Sequence, residues 1–210
     1  MGRSSDPTAS EVRRVNEQLE ERHYEFRSNC NDGEGECIPS MYRMNCEKNG
    51  YPASCFNLGR LMLAGKGVAQ NDKEAVDVFD KACKGGHAQG CHHLGSMYAN
   101  GLGRPKDLVK GIEAFKEGCA REDANSCNRV ASLYLSTVAN SPIARDPVAA
   151  KNYLELACDA NFAPACHNLA VMFKNGDKGV PKDAAKFEEY SKRTKELIAM
   201  AGGVSTIKAT

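Results

Sequence analysis

The same order of side chains follows four cysteines along the chain, Cys55, Cys91, Cys127 and Cys166. Three places on stands an apolar residue (Leu58, Leu94, Val130, Leu169), followed by a small one (Gly59, Gly95, Ala131, Ala170). Larger side chains occupy the sixth and seventh places: Leu61 and Met62, Met97 and Tyr98, Leu133 and Tyr134, Met172 and Phe173. Apolar positions at this spacing share one stripe of a helix, termed helix A. Gly65, Gly101 and Gly176 stand where three of the A helices should end, and Thr137 takes that place in the third. After a polar loop, Asp72, Asp107, Asp146 and Asp183 can accept from the free amides that begin a second helix, B. Helix B carries small residues at Ala75, Gly111 and Ala150, then Val78 and Phe79, Ala114 and Phe115, Tyr153 and Leu154, and a charged opposite face.

The four cysteines are 36, 36 and 39 residues apart, so one period is one helix pair. The longer third period places its extra residues in the loop around Ala139 to Arg145, where insertion costs little. Neither helix buries its stripe alone, and stacked pairs form a continuous core, so the expected fold is an all-α solenoid of helix-turn-helix repeats. The expected layout is an N-terminal helix and disordered start over residues 1–27, with Thr8 and Glu11 as a capping box. A truncated cysteine-containing repeat follows over 28–50, then the solenoid over 51–201, ending in a charged cap helix, and a disordered tail over 202–210. The truncation is read from the step of 9 positions from Cys37 to Cys46, where the regular repeats have 28, 28 and 31 from a second cysteine to the next first one.

Composition then narrows the function classes. With 28 basic and 27 acidic side chains the formal charge is +1, which gives no strong field for nucleic acid or an anionic membrane. The longest apolar stretches, such as Ser132 to Val138, are far short of the roughly 20 residues of a membrane span, so a soluble protein is expected. The first 26 residues lack the apolar segment of a secretory signal, and Asp6, Glu11, Glu17, Glu20 and Glu21 are unlike a mitochondrial transit peptide.

The ten cysteines fall in close pairs: Cys30/Cys37, Cys46/Cys55, Cys83/Cys91, Cys119/Cys127 and Cys158/Cys166. An even number in close pairs reads as a disulfide framework, each regular bridge joining the last turn of a B helix to the first turn of the next A helix. Structural zinc usually takes cysteines two to four residues apart, which the seven intervening residues of the three regular pairs do not match. Thiol-disulfide catalysis normally shows C-x-x-C, which is absent; a redox role would need a strained or exposed bridge among Cys30, Cys37, Cys46 and Cys55. A disulfide framework implies an oxidising compartment, yet the sequence shows no secretory signal to deliver the chain there.

The A-x-x-C of Ala88 to Cys91, the L-G that follows, the G-x-G before Asp and the 36-residue period resemble Sel1-like repeats over about Pro52 to Ala201. A cysteine pair in every repeat is similar to two groups, exported bacterial cysteine-rich Sel1 proteins and the mitochondrial cytochrome c oxidase assembly factor seven family. The segments Asn45 to Asn49, Ser54 to Leu58 and Ala165 to Leu169 resemble the mitochondrial family. That resemblance implies a protein of the intermembrane space, imported by oxidative folding, that assists assembly of respiratory complex IV. It would reconcile the cysteines with the missing signal. The bacterial alternative would place the same scaffold outside the cell.

The expected role is a non-enzymatic, monomeric adaptor that binds client proteins, respiratory-complex subunits or assembly factors, through its A helices. Asn57, Arg60, Ser96, Arg129 and Ser132 are the candidate contacts. The rival is a haem-binding or thiol-disulfide redox factor of the same pathway, with His92 or His167 and a methionine such as Met97 or Met172 as axial ligands. No cofactor or metal is otherwise expected: C-x-x-C-H, H-E-x-x-H, a Ser/His/Asp constellation and a phosphate-loop G-K-[ST] are all absent.

Overall fold

The computed structural model describes residues 37–206, with side chains described for 38–201; within them the chain forms nine helices and no strand. They are α1 (Cys37–Asn49), α2 (Pro52–Ala64), α3 (Asp72–Lys84), α4 (Ala88–Asn100), α5 (Leu108–Ala120), α6 (Ala124–Leu135), α7 (Pro147–Asp159), α8 (Ala163–Asn175) and α9 (Ala184–Thr206). The even-numbered helices are A helices and α3, α5, α7 and α9 are B helices. Each helix packs on its neighbours in the chain, and the main contacts beyond them join α2 with α4, α4 with α6 and α3 with α5. This nearest-neighbour pattern is that of a solenoid.

Local chemistry sets the helix ends. Asp107, Asp146 and Asp183 accept from the backbone N–H of Lys110, Ala149 and Lys186 at 2.9 to 3.0 Å. In the first repeat the cap is Asn71, which accepts from Glu74 N–H at 3.2 Å, and Asp72 is the first helical residue. The cap position thus lies one residue earlier than the aspartate pattern predicts. Gly65 and Gly101 end their helices at φ 62° and 74°, in the left-handed region that glycine enters freely. The third A helix stops at Leu135 with Ser136 at φ −59° and no left-handed residue. The longer loop that follows sends Ile143 into a core cluster with Ala99, Ile112, Phe115 and Val130.

The small residue after each apolar position has a measurable purpose. A Cβ on Gly59 would lie 2.7 Å from the Phe79 ring, and one on Gly95 would lie 2.7 Å from Phe115. In the third repeat Ala131 shares a cluster with Leu154, a smaller side chain at the phenylalanine's place. Helix separation is therefore held by matching a bulky B residue to a small A residue.

At the amino-terminal end the described part of the shortened repeat is α1 alone. It packs on α2 as a B helix packs on the following A helix, with Cys46 reaching Cys55. The N-terminal helix expected within residues 1–27 and Cys30 lie outside the described residues, and the expected Cys30/Cys37 pairing with them. At the other end α9 is helical to Thr206, past Gly202 where the tail was expected to begin.

Candidate functional site

Two features recur in every repeat and set what the surface can do: a bridge at each B-to-A joint, and a row of side chains running from one A helix to the next. The bridges are Cys46–Cys55, Cys83–Cys91, Cys119–Cys127 and Cys158–Cys166, with Cα separations of 4.5 to 4.8 Å. A turn such as Gly85 to His87 brings the cysteines together, with Gly86 at φ 97°. None of the eight sulfur-bearing residues is more than 7% exposed. Attack by an external thiolate needs access to a sulfur, so this burial favours bridges that hold the fold over bridges that exchange.

The row uses the two positions after each second cysteine. Phe56 of α2 meets His93 of α4 edge-on, with centroids 5.3 Å apart. His92 of α4 is faced by Arg129 of α6, whose charge opposes its protonation. Asn168 of α8 donates to Asn128 of α6 at 3.1 Å. In each case the first position of one repeat meets the second position of the next. The sequence reading missed this ladder, including Phe56, His93, Asn128 and Asn168. Its signal was the column of residues directly after the cysteines, Phe56-Asn57, His92-His93, Asn128-Arg129 and His167-Asn168.

Three histidines gather at the centre of the ladder. His87 is the N-cap of α4: its Nδ1 accepts from Gly90 N–H at 3.1 Å while its ring stacks on Phe56 at 4.3 Å. His93 lies against Phe79 at 5.1 Å, with Nδ1 3.0 Å from the Gln89 carbonyl. His92 lies against Phe115 at 5.5 Å. Burial holds all three below the ordinary histidine value; the Asp123 charge acts against this at His92, and the Gln89 carbonyl does so at His93.

Ser126, His92 and Asp123 lie together yet do not form a nucleophilic triad. Both Ser126 Oγ, at 3.3 Å, and Asp123 Oδ2, at 3.5 Å, approach the same His92 nitrogen, Nδ1. A triad needs the serine on one ring nitrogen and the carboxylate on the other. Ser126 is also fully buried, and Asp123 already accepts from Ser126 N–H at 2.7 Å as the N-cap of α6.

Of the expected protein contacts, Arg60, Arg129 and Ser132 are exposed and Asn57 and Ser96 half-buried. The Arg60 guanidinium lies 5.6 Å over the Phe56 ring and that of Arg129 lies 5.8 Å over Phe115. Ser132 Oγ donates back to the Asn128 carbonyl within its own helix. The two methionines considered for haem are core residues. His167 is exposed and His92 is engaged through Nδ1, while Met97 and Met172 are 1% and 7% exposed within the packed interior. Using either thioether as a ligand would empty its place in the core. Among the described residues no group of three His, Cys, Asp or Glu side chains is placed to hold a metal ion. No described helix is long and apolar enough to cross a membrane.

Comparison with known proteins agrees with the repeat register. The Sel1 repeat matches residues 52–87, 88–121, 124–162 and 163–186. Cytochrome c oxidase assembly factor 7 of Xenopus tropicalis is 28% identical over 169 residues, 80% of this chain and 58% of that protein. The Mus musculus protein of the same name is 35% identical over 144 residues, 68% of this chain and 48% of that protein. The chain thus spans about half the length of these curated relatives. Among solved structures, a Sel1 repeat protein from Oxalobacter formigenes superposes with a TM-score of 0.69 at 21% identity, over 83% of this chain and 69% of that one, a likeness of fold. With consecutive repeat units matched over more than half its length, in the register of the bridges and the ladder, the chain belongs to the Sel1 repeat family.

Proposed function

We propose that the chain is a non-enzymatic scaffold that binds other proteins across its A helices and acts in the assembly of cytochrome c oxidase in the mitochondrial intermembrane space. The observation that carries this is the ladder: a row of partly exposed amide, imidazole and guanidinium groups fixed in register by buried bridges at each repeat joint. A surface held rigid before binding loses less conformational entropy when a partner docks. Buried disulfides require an oxidising compartment, which supports the intermembrane space. The two relatives named as cytochrome c oxidase assembly factor 7 support the pathway.

The test is deletion of the gene in its own cells, followed by re-expression of the wild-type chain or of Arg129→Glu with Asn128→Ala. Assembled cytochrome c oxidase is read on native gels and the chain is located by protease protection of mitochondria with ruptured outer membranes. Lost complex IV restored by the wild type alone is the expected result. Unchanged complex IV on deletion, or a chain outside mitochondria, would overturn the reading.

A further inference from the structure

Charge is divided unequally between the two sets of helices. The A helices α2, α4, α6 and α8 contain no Asp or Glu at all, and their cations are Arg60, Arg129 and Lys174. The B helices carry the acids, among them Asp77, Asp80, Glu113, Glu117, Glu155 and Glu188. A chain of nearly zero net charge therefore presents one carboxylate-free layer.

The arginines differ in the same way. Arg43, Arg104, Arg121, Arg145 and Arg193 each pair with a carboxylate. Arg60 and Arg129, both exposed, make no ion pair among the described residues; each rests over a phenylalanine ring, which limits its freedom without using its N–H donors. Between them runs an unbroken line of rings: Phe56 beside His93, His93 beside His92 with centroids 5.8 Å apart, and His92 beside Phe115. Lys174 leans instead on Phe187 of α9, at 5.5 Å, and stands apart from this line. The carboxylate closest to the line, Asp123, is committed to Ser126 N–H and His92.

We infer that the row of A helices docks an acidic, extended segment of a partner protein, with Arg60 and Arg129 binding its carboxylates and the half-buried His92 and His93, which rest on the buried Phe56 and Phe115 rings, as the floor between them. This rests on the scaffold reading and gives the partner its chemistry. Unpaired guanidinium groups bind carboxylates in bidentate fashion, and two of them held on separate A helices suit an extended segment that spans both. An anionic membrane is the poorer match, because stable attachment takes about 4 to 8 clustered cations and this line has two.

The experiment is selection from a random-peptide display library on the intact, oxidised chain, in parallel with the Arg60→Glu/Arg129→Glu variant, followed by affinity measurement of the enriched peptides. Peptides rich in Asp and Glu are expected, binding the variant about tenfold or more weakly and losing affinity as salt rises. Non-reducing mass of both proteins checks that the bridges remain; if the reversal variant does not fold, Arg60→Gln/Arg129→Gln should show a smaller loss of the same peptides. Enriched peptides that are apolar or basic, or that bind the variant equally well, would overturn the acidic partner and leave the scaffold reading standing. A selection that enriches nothing would count against both. Binding of phosphatidylserine-containing vesicles without any acidic peptide would overturn the inference in favour of a membrane surface.

Discussion

In the second repeat Gly95 of α4 faces Phe115 of α5, whereas in the third Ala131 of α6 packs with Leu154 of α7. The third repeat has one methyl group more on the A helix and a smaller, aliphatic side chain on the B helix, and the helices still meet. The loops differ in step: Gly101 closes the second A helix in a left-handed turn, while the third lacks that turn and its longer loop sends Ile143 into the core. The longer loop is also pinned by Arg145, whose guanidinium makes two hydrogen bonds to Asp177 at 3.0 and 2.5 Å. The lesson is that the volume of each pair and the closure of each loop are conserved quantities, and individual residues are not.

What the two repeats share without variation is the bridge, so its loss should have the largest effect. Replacing Cys119 and Cys127 by Ser removes a crosslink worth roughly 2 to 3 kcal/mol by chain entropy, and thermal unfolding should fall by roughly 5 to 10 °C. Calorimetry under non-reducing conditions measures this. An unchanged midpoint would show that helix packing alone fixes the joint. Ile143→Ala comes next, at about 2 kcal/mol, because it leaves a void among Ala99, Ile112, Phe115 and Val130. Denaturant unfolding gives the value directly.

Gly95→Ala should destabilise by about 1 kcal/mol: the clash with Phe115 costs about 2, and the better helix propensity of alanine returns about 1. Adding Phe115→Leu reproduces the pairing of the third repeat and should recover much of that loss. If the double variant is less stable than the sum of the single ones, measured by the same unfolding cycle, then volume matching is not what the two repeats have in common.

These contrasts show which parts of the molecule can be read from the chain alone. The apolar stripe, the 36-residue period and the joints at Cys83/Cys91, Cys119/Cys127 and Cys158/Cys166 are local patterns, set by helical spacing and by turns of a few residues. The cap at Asn71 was displaced to Asp72 because either side chain can accept from a helix-start amide, and only the backbone decides which sits outside the first turn. Ile143 was hidden because a single apolar residue in a polar loop carries no periodicity. The ladder was missed for another reason. Phe56 and His93, or Asn128 and Asn168, are about one period apart, and only the lateral packing of α2, α4, α6 and α8 makes them neighbours. The unpaired state of Arg60 and Arg129 among the described residues is likewise invisible until the other described arginines have found their carboxylates.

The smallest expected effect separates the two repeats by pH. The second A helix is capped by His87 and the third by Asp123, and both caps work only when the accepting atom carries no proton. For His87 that means the neutral ring, which burial already favours and the nearby His93 favours further. The unfolded chain takes up this proton near the ordinary histidine value of about 6.5, while the folded chain resists it. Unfolding therefore binds protons, and stability should hold above that pH and decline as the pH falls below it. His92, between Asp123, His93 and Arg129, and His93, facing Arg60 and Asp123, are lowered as well and add to the same slope. His87→Asn keeps a side chain that can cap the helix and removes one titrating group. Between about pH 7.5 and pH 5.5 its thermal midpoint should fall less than that of the wild type. An equal fall would assign the whole slope to His92 and His93, and would mean that protonated His87 leaves the helix start without breaking the joint that Cys83–Cys91 holds.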